Sequence, residues 1–366
     1  MPVGRAILLI GLLWGCGETA APGGTLAVSV TGRLERGSLV VVQARSGTEP
    51  LPDTSVTWSA QPSDGVEFPS PGRALLVRAT RVNLTATASG ATGSLGFDVA
   101  VPPTIVFDML RDGNRDIYRA ALDGGDLTRL TTDPADDVRP TAANSTVVFV
   151  SYRDGRGALY AVPLAGGSDQ RLVVTAGDES DPALSPDGRR LAYVESSSGV
   201  PKLWLADADG GNAARATSGS GFPSSIEVGP TWAPAGDRVA FVATAYGNAG
   251  LFQLLTGAGA ISPLTADSTP DVEPAWSTDG GRIAFASARN GATNVYLLQV
   301  ASGSVSQLST GPGTDGEPAW LGDGRLVYVN WIDGVPRLCW LDPAAPDSVH
   351  AIDVGPGAAA HPKGVL

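Results

Sequence analysis

Histidine and cysteine are nearly missing from this chain, and each shortage closes a branch of chemistry. The two histidines, His350 and His361, cannot make a His-rich metal site. They also leave a serine nucleophile short of a base, and no G-x-S-x-G motif occurs. Two cysteines, Cys16 and Cys339, lie too far apart in sequence to suggest a disulfide framework, and no disulfide is expected. Cys339 in "RLCWLD" reads as a small buried hydrophobe. Clustered Lys and Arg are lacking too, and with a net charge of −12 that excludes nucleic acid as a partner. No apolar run is long enough to span a bilayer.

The composition supplies material for β-structure. Hydrophobic residues make up 43% of 366 and charged residues 17%, enough to bury real cores in two or more domains. Gly at 47 and Pro at 28 suit many short strands joined by tight turns. The expected fold class is all-β.

At the start, Arg5 and "AILLIGLLW" have the length of a secretory signal core. Leu13-Trp14-Gly15-Cys16 resembles the bacterial lipoprotein processing site, although Trp14 departs from the small or β-branched residue usual there. That resemblance implies a signal peptide over 1–15, lipidation of Cys16, and a membrane anchor through several acyl chains. The alternative is an ordinary signal peptide with a chance cysteine. Residues 16–24 read as a flexible tether. Gly17 is not the aspartate associated with inner-membrane retention, so the expected address is the outer membrane, facing periplasm or exterior.

Residues 25–101 alternate apolar and polar positions in short runs, among them "SLVVVQAR", "SVTWSAQP" and "NLTATAS". Six or seven such strands predict a β-sandwich. The pattern around "VTWSAQPSDGVEF" resembles bacterial Ig-like domains, which implies a spacer or adhesion module with Trp58 as its core tryptophan.

From 104 a repeat takes over. Pro140, Pro182, Pro230, Pro274 and Pro318 recur at spacings of 42, 48, 44 and 44, each followed by four strand-like runs. That period is a propeller blade. Trp232, Trp276 and Trp320, with Leu184 in the same slot, would fill the space between neighbouring blades. Asp187-Gly188 and Asp279-Gly280 would turn the first strand into the second, and "GG" at 124–125, 166–167 and 210–211 the third into the fourth. The run from Ile105 lacks a first strand, whereas Pro362 begins one with nothing after it. Joining these ends predicts six blades closed by the C-terminal strand.

The unit "P-x-W-S-x-D-G-x-x-[IL]-A-F", with "L-Y" and "R-L-T" after it, resembles the repeats of TolB-like propellers over about 260 residues. The resemblance implies a periplasmic scaffold that binds partner proteins, a peptidoglycan-associated lipoprotein among them. TolB carries a mixed α/β N-terminal domain, which this chain does not repeat.

Acids stand three residues before five repeat prolines: Asp137, Glu179, Glu227, Asp271 and Asp315, with Ala359 in the sixth place. Equal repeat offsets lie on one ring, so these carboxylates would converge at one channel mouth. Asp181, Glu273 and Glu317, two residues later, would point the same way. Such a ring would favour Ca²⁺ or a basic peptide. The alternative is that each acid caps backbone N–H groups between blades. Phe222, in the insertion "SGSGFPSSIEV", is a candidate loop contact, and "DADGG" at 207–211 reads as a turn. No cofactor is otherwise indicated. The leading functional reading is a non-enzymatic, lipid-anchored envelope protein that binds a protein or peptide. A carbohydrate-binding or carbohydrate-active propeller using channel carboxylates is the alternative.

Overall fold

In the computed structural model, residues 25–172, 175, 177–218, 226–245, 248–265 and 268–365 are described. Cys16, the signal segment 1–15, the tether to 24 and Phe222 lie outside them. The described residues are all-β, without an α-helix, and the chain divides into two compact units between Pro102 and Pro103.

The first unit packs two sheets. Strands β1 (Ala27–Thr31), β2 (Leu39–Ser46), β3 (Glu49–Pro50), β5 (Val66–Ser70) and β6 (Arg73–Leu76) form one of them. The other holds β4 (Thr57–Gln61), β7 (Arg81–Ala88) and β8 (Ala91–Asp98). Strict alternation does the sorting: Val40, Val42, Val82, Leu84 and Phe97 turn inward from these strands and are buried. Trp58, on β4, is half-buried against that core. Eight strands form where six or seven were expected, and β3, two residues long, is too short to show a pattern.

The second unit is six four-stranded antiparallel sheets. Blade 1 holds β9 (Thr104–Arg111), β10 (Asn114–Ala121) and β11 (Thr128–Arg129). Blade 2 runs β12 (Asp137–Ala143), β13 (Thr146–Ser151), β14 (Ala158–Pro163) and β15 (Gln170–Arg171). Blade 3 runs β16 (Glu179–Leu184), β17 (Arg190–Glu195), β18 (Lys202–Asp207) and β19 (Ala214–Arg215). Blade 4 runs β20 (Glu227–Trp232), β21 (Arg238–Ala245), β22 (Asn248–Leu255) and β23 (Ile261–Pro263). Blade 5 runs β24 (Asp271–Trp276), β25 (Arg282–Asn290), β26 (Ala292–Gln299) and β27 (Val305–Gln307). Blade 6 runs β28 (Thr314–Trp320), β29 (Leu326–Ile332), β30 (Val335–Asp342) and β31 (Ala345–Ala351).

The last strand, β32 (Ala358–Gly364), pairs antiparallel with β9 and completes blade 1. The innermost strands β32, β12, β16, β20, β24 and β28 then neighbour one another in a closed circle. The predicted closure is therefore the observed one, and it gives β9 a partner on its inner side.

Packing between blades follows the tryptophan slot. Trp232 Nε1 donates to Ala183 O of blade 3 at 2.9 Å, and Arg190 of that blade lies over its ring at 4.5 Å. Trp320 does the same with Ala275 O, at 3.0 Å, and Arg282 of blade 5. Trp276 bonds instead to Gly280 O within its own blade. Inside the blades, facing residues of the second and third strands form aromatic pairs in five cases, such as Phe285 and Tyr296 with centroids 6.0 Å apart. In blade 6 the slot opposite Tyr328 holds the buried Cys339, as a small hydrophobe.

Candidate functional site at the mouth of the axial channel

Each innermost strand meets a proline that has no N–H to give to the ladder, and the pairing slips there. The register breaks between Val138 and Thr141, Ser180 and Ala183, Val228 and Thr231, Val272 and Ala275, Gly316 and Ala319, and Ala360 and Lys363. In every bulge the residue before the proline takes left-handed backbone: Arg139, Asp181, Gly229, Glu273, Glu317 and His361, with φ between 48° and 59°. These six residues, the six prolines and Lys363 line a cavity on the axis.

The ring is stitched together by its own carboxylates. Gly229 N–H donates to Asp181 Oδ2 at 3.4 Å, Glu317 N–H to Glu273 Oε2 at 2.7 Å, and His361 N–H to Glu317 Oε2 at 2.5 Å. His361 has no carboxylate to pass on, so Asp108 of β9 accepts the Arg139 N–H instead, at 3.1 Å. Asp108 also takes Arg115 and, at 2.6 Å, His361 Nδ1. Arg139 Nη1 pairs with Asp181 Oδ1 at 2.7 Å, and His361 Nε2 approaches Glu317 Oε1 at 3.3 Å.

Charges in this ring are unevenly matched. Glu273 is exposed and, among the described residues, has no cation within ion-pair distance. Burial pushes the Glu317 carboxyl up, with His361 opposing. Burial pushes the Lys363 ammonium down, while Glu317, Glu273 and Asp181 hold it up. Burial also acts against the Arg139 cation, but the surrounding acids, Asp181 first, outweigh it and raise the guanidinium.

The five acids three residues before the prolines do not reach this mouth, which corrects the expectation of a converging ring. Asp137, Glu179, Glu227 and Asp271 have no exposed surface and Asp315 retains 4%. Each lies at or next to the start of an innermost strand and turns into the blades, Glu179 and Glu227 toward the preceding one. Glu179 Oε2 accepts the Leu159 N–H at 3.0 Å, and Glu227 Oε2 accepts Leu203 N–H at 3.0 Å and Thr217 Oγ1–H at 2.9 Å. The shorter aspartates leave that N–H to a hydroxyl: Ile117 N–H bonds Thr131 Oγ1, and Val295 N–H bonds Ser309 Oγ. Asp137 and Asp315 then bond to those hydroxyls, whereas Asp271 pairs with Arg289 at 2.7 Å. The capping alternative holds for Glu179 and Glu227, whereas Asp137, Asp271 and Asp315 bond side chains instead. Asp181, Glu273 and Glu317 do line the mouth.

Among the described residues no three acidic, His or Cys side chains stand close enough together to hold a metal ion. His350 lies elsewhere, stacked on Trp340 of the outer part of blade 6 at 4.1 Å.

The chain matches the family described as TolB beta propeller domain over residues 78–221 and 180–338. It belongs to that family. A curated relative, the protein TolB homolog of Chlorobium luteolum, is 27% identical over 257 residues, covering 70% of this chain. The chain spans about half of that relative's length, 53%. Among solved structures, TolB from Acinetobacter baumannii superimposes with a TM-score of 0.65 at 15% identity, covering 88% of this chain and 89% of that one. A putative TolB from Agrobacterium tumefaciens gives 0.56 at 19% identity, covering 68% and 88%.

For this TolB-type propeller, the sequence reading missed Arg139, Gly229, His361, Asp108 and Lys363. A signal was present for the first three. One repeat offset holds Arg, Asp, Gly, Glu, Glu and His, and a glycine in such a column marks left-handed backbone. Asp108 and Lys363 come to the axis only through ring closure.

Proposed function

We propose that this TolB-type protein is a non-enzymatic, exported envelope protein whose propeller grips a segment of a partner protein at the channel mouth. Lipid on Cys16 anchors it, in the outer membrane, and the N-terminal sandwich acts as an Ig-like spacer. The observation that carries the reading is the left-handed ring. Left-handed backbone costs a residue with a Cβ about 1 kcal/mol or more. Gly229 occupies its bulge without that penalty, yet Arg139, Asp181, Glu273, Glu317 and His361 keep charged or polar side chains there. Strain kept at one mouth of a channel is a mark of function. The unpaired Glu273 and the overall acidity favour a basic segment. Apolar side chains rim the same end of the blades, including the exposed Leu110, Tyr152, Val200, Ile226 and Val335.

The test is capture from envelope extract on residues 24–366, with Glu273→Gly run beside the parent. In the variant the strain relieved, about 1 kcal/mol, is offset by the lost Glu317 N–H bond, also about 1 kcal/mol, so it should melt close to the parent and yet lose the captured protein. Equal capture by both, or glycan binding with no protein captured, would sink the reading. In the same cells Cys16→Ser should move the protein from the membrane to the soluble fraction.

A further inference from the structure

Beneath the proline ring the axis opens into a second chamber, unlike the first in chemistry. Pro186 and Thr278, in the hairpins between first and second strands, lie on its wall, so it opens at the end opposite the acidic mouth. No carboxylate side chain lines it. Space comes from the residue after each repeat proline, which is Ala183, Ala275 or Ala319 in three blades and threonine in two. The sixth blade puts Lys363 there.

Three tryptophans, Trp232, Trp276 and Trp320, supply apolar wall, since their Nε1 donors are spent on Ala183 O, Gly280 O and Ala275 O. Thr141 Oγ1 accepts Leu184 N–H at 3.2 Å and Thr231 Oγ1 accepts Trp276 N–H at 3.3 Å. With its oxygen so used, each hydroxyl still has its proton to donate. Lys363 is the only charged side chain on the wall, and among the described residues no carboxylate pairs with it within ion-pair distance. An enclosed ammonium without a close counter-ion is costly.

We infer that this inner chamber binds a small organic monocarboxylate, its carboxylate held by Lys363 with the Thr141 and Thr231 hydroxyls and its apolar body against the three tryptophans. The apolar lining with few convergent donors matches the general form of small-molecule sites. A carboxylate would give the ammonium a charge-assisted partner that burial otherwise denies it. The burial that depresses the Lys363 ammonium agrees with this need. The chamber shares Lys363 with the partner-binding mouth, but the inference does not depend on that reading.

The full chain is titrated at neutral pH with phenylacetate and, separately, with uncharged phenylacetamide, following tryptophan fluorescence. Phenylacetate should give a saturable change and bind at least ~10-fold tighter than the amide, the worth of a charge-assisted hydrogen bond. The chain's two lysines are Lys202 and Lys363. After reductive methylation with ¹³C-formaldehyde, phenylacetate should shift the Lys363 signal and leave Lys202, paired with Glu227, where it was. Lys363→Met should weaken binding by a similar ~10-fold, with Lys363→Arg retaining most of it. Equal responses to acid and amide, or a shift confined to Lys202, would overturn the inference. Both of those readouts use the parent sequence, so they decide the matter even if Lys363→Met fails to close the ring.

Discussion

Asp315 and Glu273 sit on neighbouring innermost strands, two repeat offsets apart, and do opposite things, and the difference is burial. Asp315 bonds Asn330 Nδ2 at 2.6 Å inside the blade, has no cation beside it, and burial raises its carboxyl above the usual range. A raised folded value means the group favours folding fully below the unfolded carboxylate value and loses that contribution as pH climbs through the folded one. Asp315→Asn removes the titration. Its melting temperature relative to the parent should therefore rise as pH climbs from the unfolded carboxylate value through the folded one, with each unit separating the two worth about 1.4 kcal/mol. A pH-independent difference would show that the carboxylate is not desolvated. The recurrence of these acids was legible in the sequence, but their direction was not. A residue at a strand start can face the axis or the blade, and only the bulge at the next proline decides which.

Among elements, the first strand carries the most information. Its proline, its acid and its tryptophan were all readable, and they set the bulge, the cap and the contact between blades. The fourth strand was readable only as a tail such as "R-L-T", and in five blades it is short, two residues in β11, β15 and β19 and three in β23 and β27, against seven in β31. Short outer edges resist pairing with other chains, and so few residues leave little periodic pattern to find. Trp232 and Trp276 separate the contributions within the slot. Trp232→Phe loses a hydrogen bond to the neighbouring blade and weakens the contact with Arg190, about 1 to 2 kcal/mol together. Trp276→Phe loses a bond within its own blade and no stacked guanidinium, so it should cost less, about 1 kcal/mol. Urea unfolding midpoints check the order, and a larger loss for Trp276→Phe would contradict it.

At the scale of the whole molecule, ring closure joins what the repeat count predicted to what the site requires. Blade number followed from two incomplete ends, the headless blade at Ile105 and the lone strand at Pro362. What those ends build at the axis did not follow, because Asp108 and His361 are 253 positions apart and meet only when β32 lies on β9. His361 then stands between Asp108 and Glu317, so the strand that closes the ring also completes its polar circuit. Deleting residues 361–366 removes this histidine, Lys363 and the pairing of Lys363 and Gly364 with Val106 and Ile105. It also uncovers the blade 1 core around Ile105 and Phe107. Lost ladder bonds at about 1 kcal/mol each and newly wetted core together amount to several kcal/mol. A domain has only about 5–15 kcal/mol to lose. Because each blade rests on two neighbours, the loss should spread around the ring, lowering the melting temperature of the second unit in one cooperative transition. A truncated chain that melts like the full one would mean that the five complete blades hold together without the sixth.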